Sequence, residues 1–171
     1  TGLTSTGTKG QVLTSTGSGT LTWTTPVFLP TIVIGTQQWM RENLDVLTYR
    51  NGDIIPQVTD ATAWANLTTG AWCYYNNDSE NGKDYGKLYN WYALKDPRGL
   101  APLGWHLPNN EEWMQLLNQF GDNNMASASM KSNVFWSDYS FNAKPTGYRD
   151  RIGYFYSLSK AGFWWIDFEG N

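Results

Sequence analysis

The stretch Gly86–Gly121, GKLYNWYALKDPRGLAPLGWHLPNNEEWMQLLNQFG, decides how the rest of the chain is read. Pro108 ends the segment before it, and Asn109 stands three residues ahead of Glu112. At that spacing an N-cap side chain and a carboxylate in the first turn satisfy each other's orphan N–H groups. Glu111 and Glu112 both fall where the helix dipole favours negative charge. Trp113, Leu116, Leu117 and Phe120 recur at i, i+3, i+4 and i+7, which makes one apolar face. Gly121 then supplies the stop signal. The spacing predicts a helix opened by Asn109 and closed at Gly121, with Trp113 and Phe120 packed against the ring-rich segments on either side.

Working outward, the 171 residues suffice for one domain with a substantial core and a small appendage. The formal charge of −3 argues against nucleic acid or an anionic membrane as a partner, because either needs clustered Lys and Arg. No apolar run reaches membrane-spanning length, so membrane insertion is not expected. No signal peptide is visible at Thr1, and the missing initiator Met is read as the mark of a fragment or a processed chain. Charged residues and aromatic residues each make up 16% of the chain, with 10 Trp and 10 Tyr. Such a balance suits a core built of rings, or a surface that meets sugars through them, and the core takes most of them. Cys73 is the only cysteine and lies between Trp72 and Tyr74, so no internal disulfide forms and a buried, inert thiol is expected.

Residues 1–26 differ from everything after them. They are mostly Thr, Ser and Gly, and Leu3-Thr4-Ser5-Thr6-Gly7 returns ten residues later as Leu13-Thr14-Ser15-Thr16-Gly17. Thr punctuated by Gly favours short strands and turns. One copy carries too few apolar side chains for a core of its own. Two readings follow: a flexible linker, or the end of a fibrous stem in which copies of the chain share Leu3, Val12, Leu13, Leu21 and Trp23. The alternation of Val-Leu and Leu-x-Trp favours the stem. After the hinge-like Pro26–Pro30, strands are expected at Thr31–Ile34, through Trp39-Met40, at Leu44–Leu47, at Ile54-Ile55 and over Ala71–Tyr75. A short helix is expected over Asp60–Leu67. Asn76–Tyr85 reads as a solvated loop whose Asp78, Glu80 and Asp84 do not match a Ca²⁺ loop spacing. Leu88–Leu94 reads as a strand or short helix, Met125–Ser132 as weakly helical and Val134–Trp136 as a strand end. The Gly-punctuated segments from Phe141 to Trp165 read as short strands and tight turns.

The same central motif, GKLYNWYALKDPRGLAPLGWHLPNNEEW, resembles the signature of the Fibrobacter succinogenes major paralogous domain. The likeness extends through TIVIGTQQWMREN (Thr31–Asn43), AWCYYNND (Ala71–Asp78) and GYRDRIGYFYSLSKAGFWW (Gly147–Trp165). The helix-opening piece Leu107–Trp113 is also similar to that of the formylglycine-generating-enzyme type of C-type-lectin-like fold. The resemblance implies an α+β, C-type-lectin-like domain over residues 27–171, with two helices and a twisted, mostly antiparallel sheet. The β-rich stem would occupy residues 1–26, whose KGQVLTSTGSGTLTWT resembles stem-to-tip junctions of bacteriophage and related tail fibres, and also repeats on bacterial surface proteins. Members of the family usually continue for several strands after the Trp-Trp pair, which implies that the last strands are missing here, come from another chain, or are replaced by a different closure. The family is not tied to one activity, and a shared fold does not carry function by itself.

The case for an enzyme is thin. His106 lies between Trp105 and Leu107, where a packed, hydrogen-bonded structural imidazole is expected rather than a general base. Glu111 and Glu112 are neighbours on a helix and cannot face each other across a cleft. No nucleophile elbow, phosphate loop or His-Glu-x-x-His motif occurs. The copper chemistry of the formylglycine-generating relatives uses a cysteine-bound site that Cys73 alone cannot supply. The motifs of calcium-dependent lectins are absent too, Trp136-Ser137-Asp138 being only a partial echo. No catalytic residue, metal or cofactor is therefore expected. A binding module fits better, with Tyr148, Arg149, Arg151, Tyr154, Tyr156 and Trp165 as ligand contacts, and Phe155, Phe163 and Trp164 in the core. The expected function is a receptor-binding or adhesion tip on a homotrimeric fibre, outside the cell. It would belong to a phage tail or contractile injection apparatus and bind a cell-surface glycan or protein. The alternative is a structural or adhesive domain of a bacterial surface protein, and an enzyme of the formylglycine-generating type ranks last.

Overall fold

The computed structural model describes Thr6, Thr8 and residues 12–15, 21–24, 30–121 and 141–167. It is an α+β chain with short helices and short antiparallel strand pairs. Near the N-terminus β1 (Val12–Ser15) pairs with β2 (Leu21–Thr24), setting Leu13 opposite Trp23 and Ser15 opposite Leu21. Directly opposed residues share a face, so Leu13, Leu21 and Trp23 lie on one side of the pair. Leu13 and Leu21 are exposed there and Trp23 is half-buried. Leu3 lies outside the described residues, as does the side chain of Val12.

The β-branched run Thr31–Ile34 forms β3 and turns at Gly35 into β4 (Gln37–Met40). Helix α1 (Ala61–Ala65) starts where Asp60 accepts a hydrogen bond from the Ala63 N–H. Strand β5 holds only Trp72–Cys73 and pairs with β6 (Leu88–Tyr89); a 3₁₀ turn follows at Tyr75–Asn77. Asn90 then caps α3 (Trp91–Leu94), so Leu88–Leu94 is a strand and a helix in succession.

Asn76–Tyr85 is not the loop that its polarity predicts. Residues Ser79–Tyr85 form helix α2, capped by Asp78, with Glu80 in the first turn bonded to Lys83 at 2.7 Å. Local side-chain pairing outweighs the low propensity of a Gly and an Asn here. Asp78 and Glu80 are thus occupied, and no group of three or more metal-ligating side chains occurs among the described residues.

The central helix α4 spans Asn110–Asn118. Its Asn109 cap accepts from the Glu112 N–H at 2.9 Å while the Glu112 carboxylate accepts from the Asn109 N–H at 2.9 Å, the reciprocal capping that the spacing requires. Leu116 is fully buried with Ile34, Phe141 and Ala143, and Ile32, Trp39, Trp113, Leu117 and Phe120 pack around them. A second cluster joins Tyr49, Ile55, Trp72, Tyr89, Ala93 and Leu100. A third holds Trp64, Ala71 and Cys73, with Phe155 against it. The pleat of β5 sends Trp72 to the second cluster and Cys73 to the third.

Near the C-terminus β7 (Thr146–Arg149) pairs with β8 (Phe155–Leu158). Instead of one continuous twisted sheet, the described residues form separate two-stranded pairs, and they hold four helices rather than two. Leu44–Leu47 forms no strand, Ile54-Ile55 contributes one isolated bridge, Ile54 to Thr48, and Gly162–Trp165 contributes one, Gly147 to Gly162. Left-handed residues at Ser157 and Ser159, with φ of 66° and 58°, interrupt the ladder that alternation alone predicts. The segments expected at Met125–Ser132 and Val134–Trp136 lie outside the described residues.

Two substitutions separate the contributions to α4. Leu116→Ala removes a fully buried side chain and is expected to cost about 2–5 kcal/mol. Asn109→Ala removes only the cap, at about 1 kcal/mol. Urea unfolding of both variants, with unchanged m values, checks the order.

Candidate functional site

The β4 end, the 100–108 loop and the 163–165 segment enclose an open cleft of about 900 Å³, a volume ordinary for small-ligand sites. Its inner wall is a chain of touching rings. Trp39, Trp113 and Phe141 meet with centroids 5.3–5.8 Å apart, and Trp164 adds to Trp113 at 6.1 Å and to Phe141 at 6.3 Å. Tilted and edge-on geometries dominate, as the ring quadrupole requires.

The outer rings are fixed by their polar edges. The Trp165 Nε1–H donates to the Tyr89 carbonyl at 2.9 Å, and the Trp164 Nε1–H donates to Asn43 Oδ1 at 3.2 Å. Both rings nevertheless stay exposed, at 44% and 37%. Phe163 is 52% exposed and meets Tyr148 edge-on at 4.7 Å. Phe163 and Trp164 were expected in the core, and their exposure corrects that reading. The run Phe163-Trp164-Trp165 does not alternate because it is not a strand. Gly162 makes its fold possible: a Cβ there would sit 2.2 Å from the Trp164 ring.

Tyr148 and Trp165, both expected contacts, line the cleft. Tyr156 is exposed and stacks on Tyr148 across β7 and β8, with centroids 5.4 Å apart and planes at 28°. It does not itself line the cleft, nor do Arg151 and Tyr154, which sit exposed in and after the turn that follows β7. Burial first, then Asp150, raises the Tyr156 phenol above its ordinary range.

Arg149 corrects the expectation most sharply. Its side chain is buried, with Nε donating to the Gly153 carbonyl, Nη1 to Val58 and Nη2 to Thr59, at 2.8–3.1 Å. The guanidinium lies over Trp64 at 4.4 Å and Phe155 at 4.8 Å. Each of its three nitrogens donates to the protein's own backbone, so it clamps the strand beneath the site. Gly147, two residues earlier, has φ +63°, and a Cβ there would lie 2.3 Å from the Tyr156 carbonyl oxygen. Such close approach of backbone holds Tyr148 and Tyr156 in register.

His106 was expected to be packed and is not. Its side chain is 71% exposed and its Nε2 lies 2.7 Å from Glu112 Oε1 at the cleft wall. Burial pushes the Glu112 carboxyl up, but the Asn109 N–H and His106 pull it below its usual range overall. The six-residue spacing of His106 and Glu112 across a helix cap carries no periodic signal, so the sequence conceals this pair. The arrangement can hold a ligand by ring stacking with a few oriented polar groups. Cys73 cannot act as a nucleophile, because it is fully buried and burial pushes its thiol up to about 11.

Two outcomes follow. Arg149→Met leaves three carbonyls without their donor and is expected to cost on the order of 3 kcal/mol, Arg149→Lys restoring only part; chemical denaturation reads both. The Cys73 thiol stays unmodified by a disulfide reagent at pH 8 in the folded protein and reacts on unfolding. Since its folded pKa is raised above the ordinary 9.0, the neutral thiol favours the fold below pH 9 and that contribution fades as pH rises toward 11.

Comparison with known proteins returns one family. The Fibrobacter succinogenes major domain matches residues 32–170, covering everything from β3 through the cleft to the ring-rich C-terminal segment. No curated protein and no solved structure matches the chain. The motif around α4, the cap that opens that helix and the extent of the match lead to the same conclusion: the chain belongs to the Fibrobacter succinogenes major domain family.

Proposed function

We propose that this chain is a receptor-binding or adhesion module, a C-type-lectin-like domain over residues 27–171 carried on a β-rich stem over residues 1–26. It acts outside the cell, at the tip of a phage tail fibre or contractile injection apparatus, and attaches to a cell-surface glycan or protein. The observation that carries the reading is the ring-lined cleft. Tyr148, Phe163, Trp164 and Trp165 each stay more than a third exposed while hydrogen bonds fix the two Trp rings at their edges. Rings held this way lose little freedom on binding, so contact with a sugar face or an apolar side chain is not offset by ordering cost. The pairing of β1 with β2 favours a stem over a flexible linker. A two-stranded pair is marginal by itself, and exposed Leu13 and Leu21 on one face gain by meeting other copies of the chain. Trimerisation would multiply weak single contacts. The second reading, an adhesive domain of a bacterial surface protein, shares the cleft and differs only in what residues 1–26 do.

The test has two parts. In a glycan-array and whole-cell binding screen, the intact protein binds, and Trp165→Ala loses about 2 kcal/mol, roughly 30-fold, with its thermal midpoint nearly unchanged. Absence of binding to any glycan or cell, or an unaffected Trp165→Ala variant, removes the proposal. Light scattering returns a trimer that Leu13→Asp with Leu21→Asp breaks to monomers; a wild-type monomer removes the stem.

A further inference from the structure

We propose that the cleft takes neutral, polyhydroxylated sugars and refuses acidic ones, an inference that rests on the binding role argued above. The reason is how its charges are used. Three cations line the cleft, Arg41, Lys87 and Arg149. Arg149 gives its donors to three backbone carbonyls. Lys87 is buried, donates to the Asp45 carboxylate and the Asp45 carbonyl, and lies over Trp72 and Tyr74 at 4.8 Å and 5.4 Å. Arg41 has a partner of its own. A carboxylate or sulfate needs a guanidinium fork or a nest of N–H groups, and Arg149 and Lys87 already spend their donors within the fold.

The negative charges point the other way. Glu42 is exposed on the cleft wall, and Glu112 stands opposite His106 with its carboxyl held below the ordinary range. An acidic ligand would lose its hydration and meet these two carboxylates, a like-charge contact that weakens binding. A neutral sugar meets different groups. Its C–H face can lie on Trp164, Trp165 or Tyr148, and its hydroxyls can reach the second ring nitrogen of His106, which has no partner among the described residues. Arg151, an exposed cation in the turn after β7, does not line the cleft and offers no alternative anchor.

The experiment uses matched ligands on the intact protein: oligosaccharides with one neutral core, bare or carrying terminal sialic acid, a uronic acid or sulfate. Titration calorimetry is expected to show the bare core bound at least ten-fold more tightly than each acidic form. Glu42→Gln narrows that gap, and Trp165→Ala weakens the neutral ligand. Equal or tighter binding of the acidic forms overturns the inference; if Trp165→Ala abolishes that binding too, the cleft remains the binding site and only the charge preference falls. Binding of none of the ligands, charged or neutral, overturns the sugar inference, and the whole-cell screen then decides the binding role separately.

Discussion

The constraint on which the described part of this structure depends is the shortness of its backbone ladders. Strands of two to four residues cannot hold a chain of this size together, so side chains tie backbone to backbone across long sequence distances. Arg149 does this most completely, joining β7 to Val58 and Thr59 from ninety or so residues earlier. The indoles repeat the device on a smaller scale. Trp72 donates to Ile55, Trp64 to Asp150 and Trp165 to Tyr89. Trp72 and Trp64 are amphipathic rings whose bodies fill a cluster and whose N–H reaches a backbone carbonyl, while Trp165 stays exposed and is held by its edge.

The same device links stability to the candidate site. The rings that fill the interior and the rings that line the cleft are continuous through Trp113, Phe141 and Trp164. Packed interiors resist small displacements, so the outer rings inherit a fixed position from the inner ones. Arg149 adds to this from beneath β7, holding the strand that presents Tyr148 and Tyr156. A charged residue adjacent to an exposed ring pair therefore serves as a clamp.

What was legible in the sequence was local. The Asn109–Glu112 capping box and the apolar face around Leu116 need only a few neighbouring residues, and both are present as read. The strand at Thr31–Ile34 and the short helix beginning near Asp60 were legible for the same reason. Helix α2 was missed because Asn and Gly within Ser79–Tyr85 mask a helix that Asp78 and the Glu80–Lys83 pair support. The site was half legible. Tyr148 and Trp165 line the cleft, but Arg149 could not be told from an exposed arginine, since its partners come from a distant segment. Phe163 and Trp164 were assigned to the core because large rings usually belong there; only the space left by Gly162 turns Trp164 outward.

The most direct measurement is the movement of indole N–H resonances when a neutral oligosaccharide that the protein binds is titrated in. The account predicts that the signals of Trp164 and Trp165 shift, while that of Trp72, buried and outside the cleft lining, stays in place. A shift of Trp72 with Trp164 and Trp165 unmoved, or no indole shift at all, would contradict it.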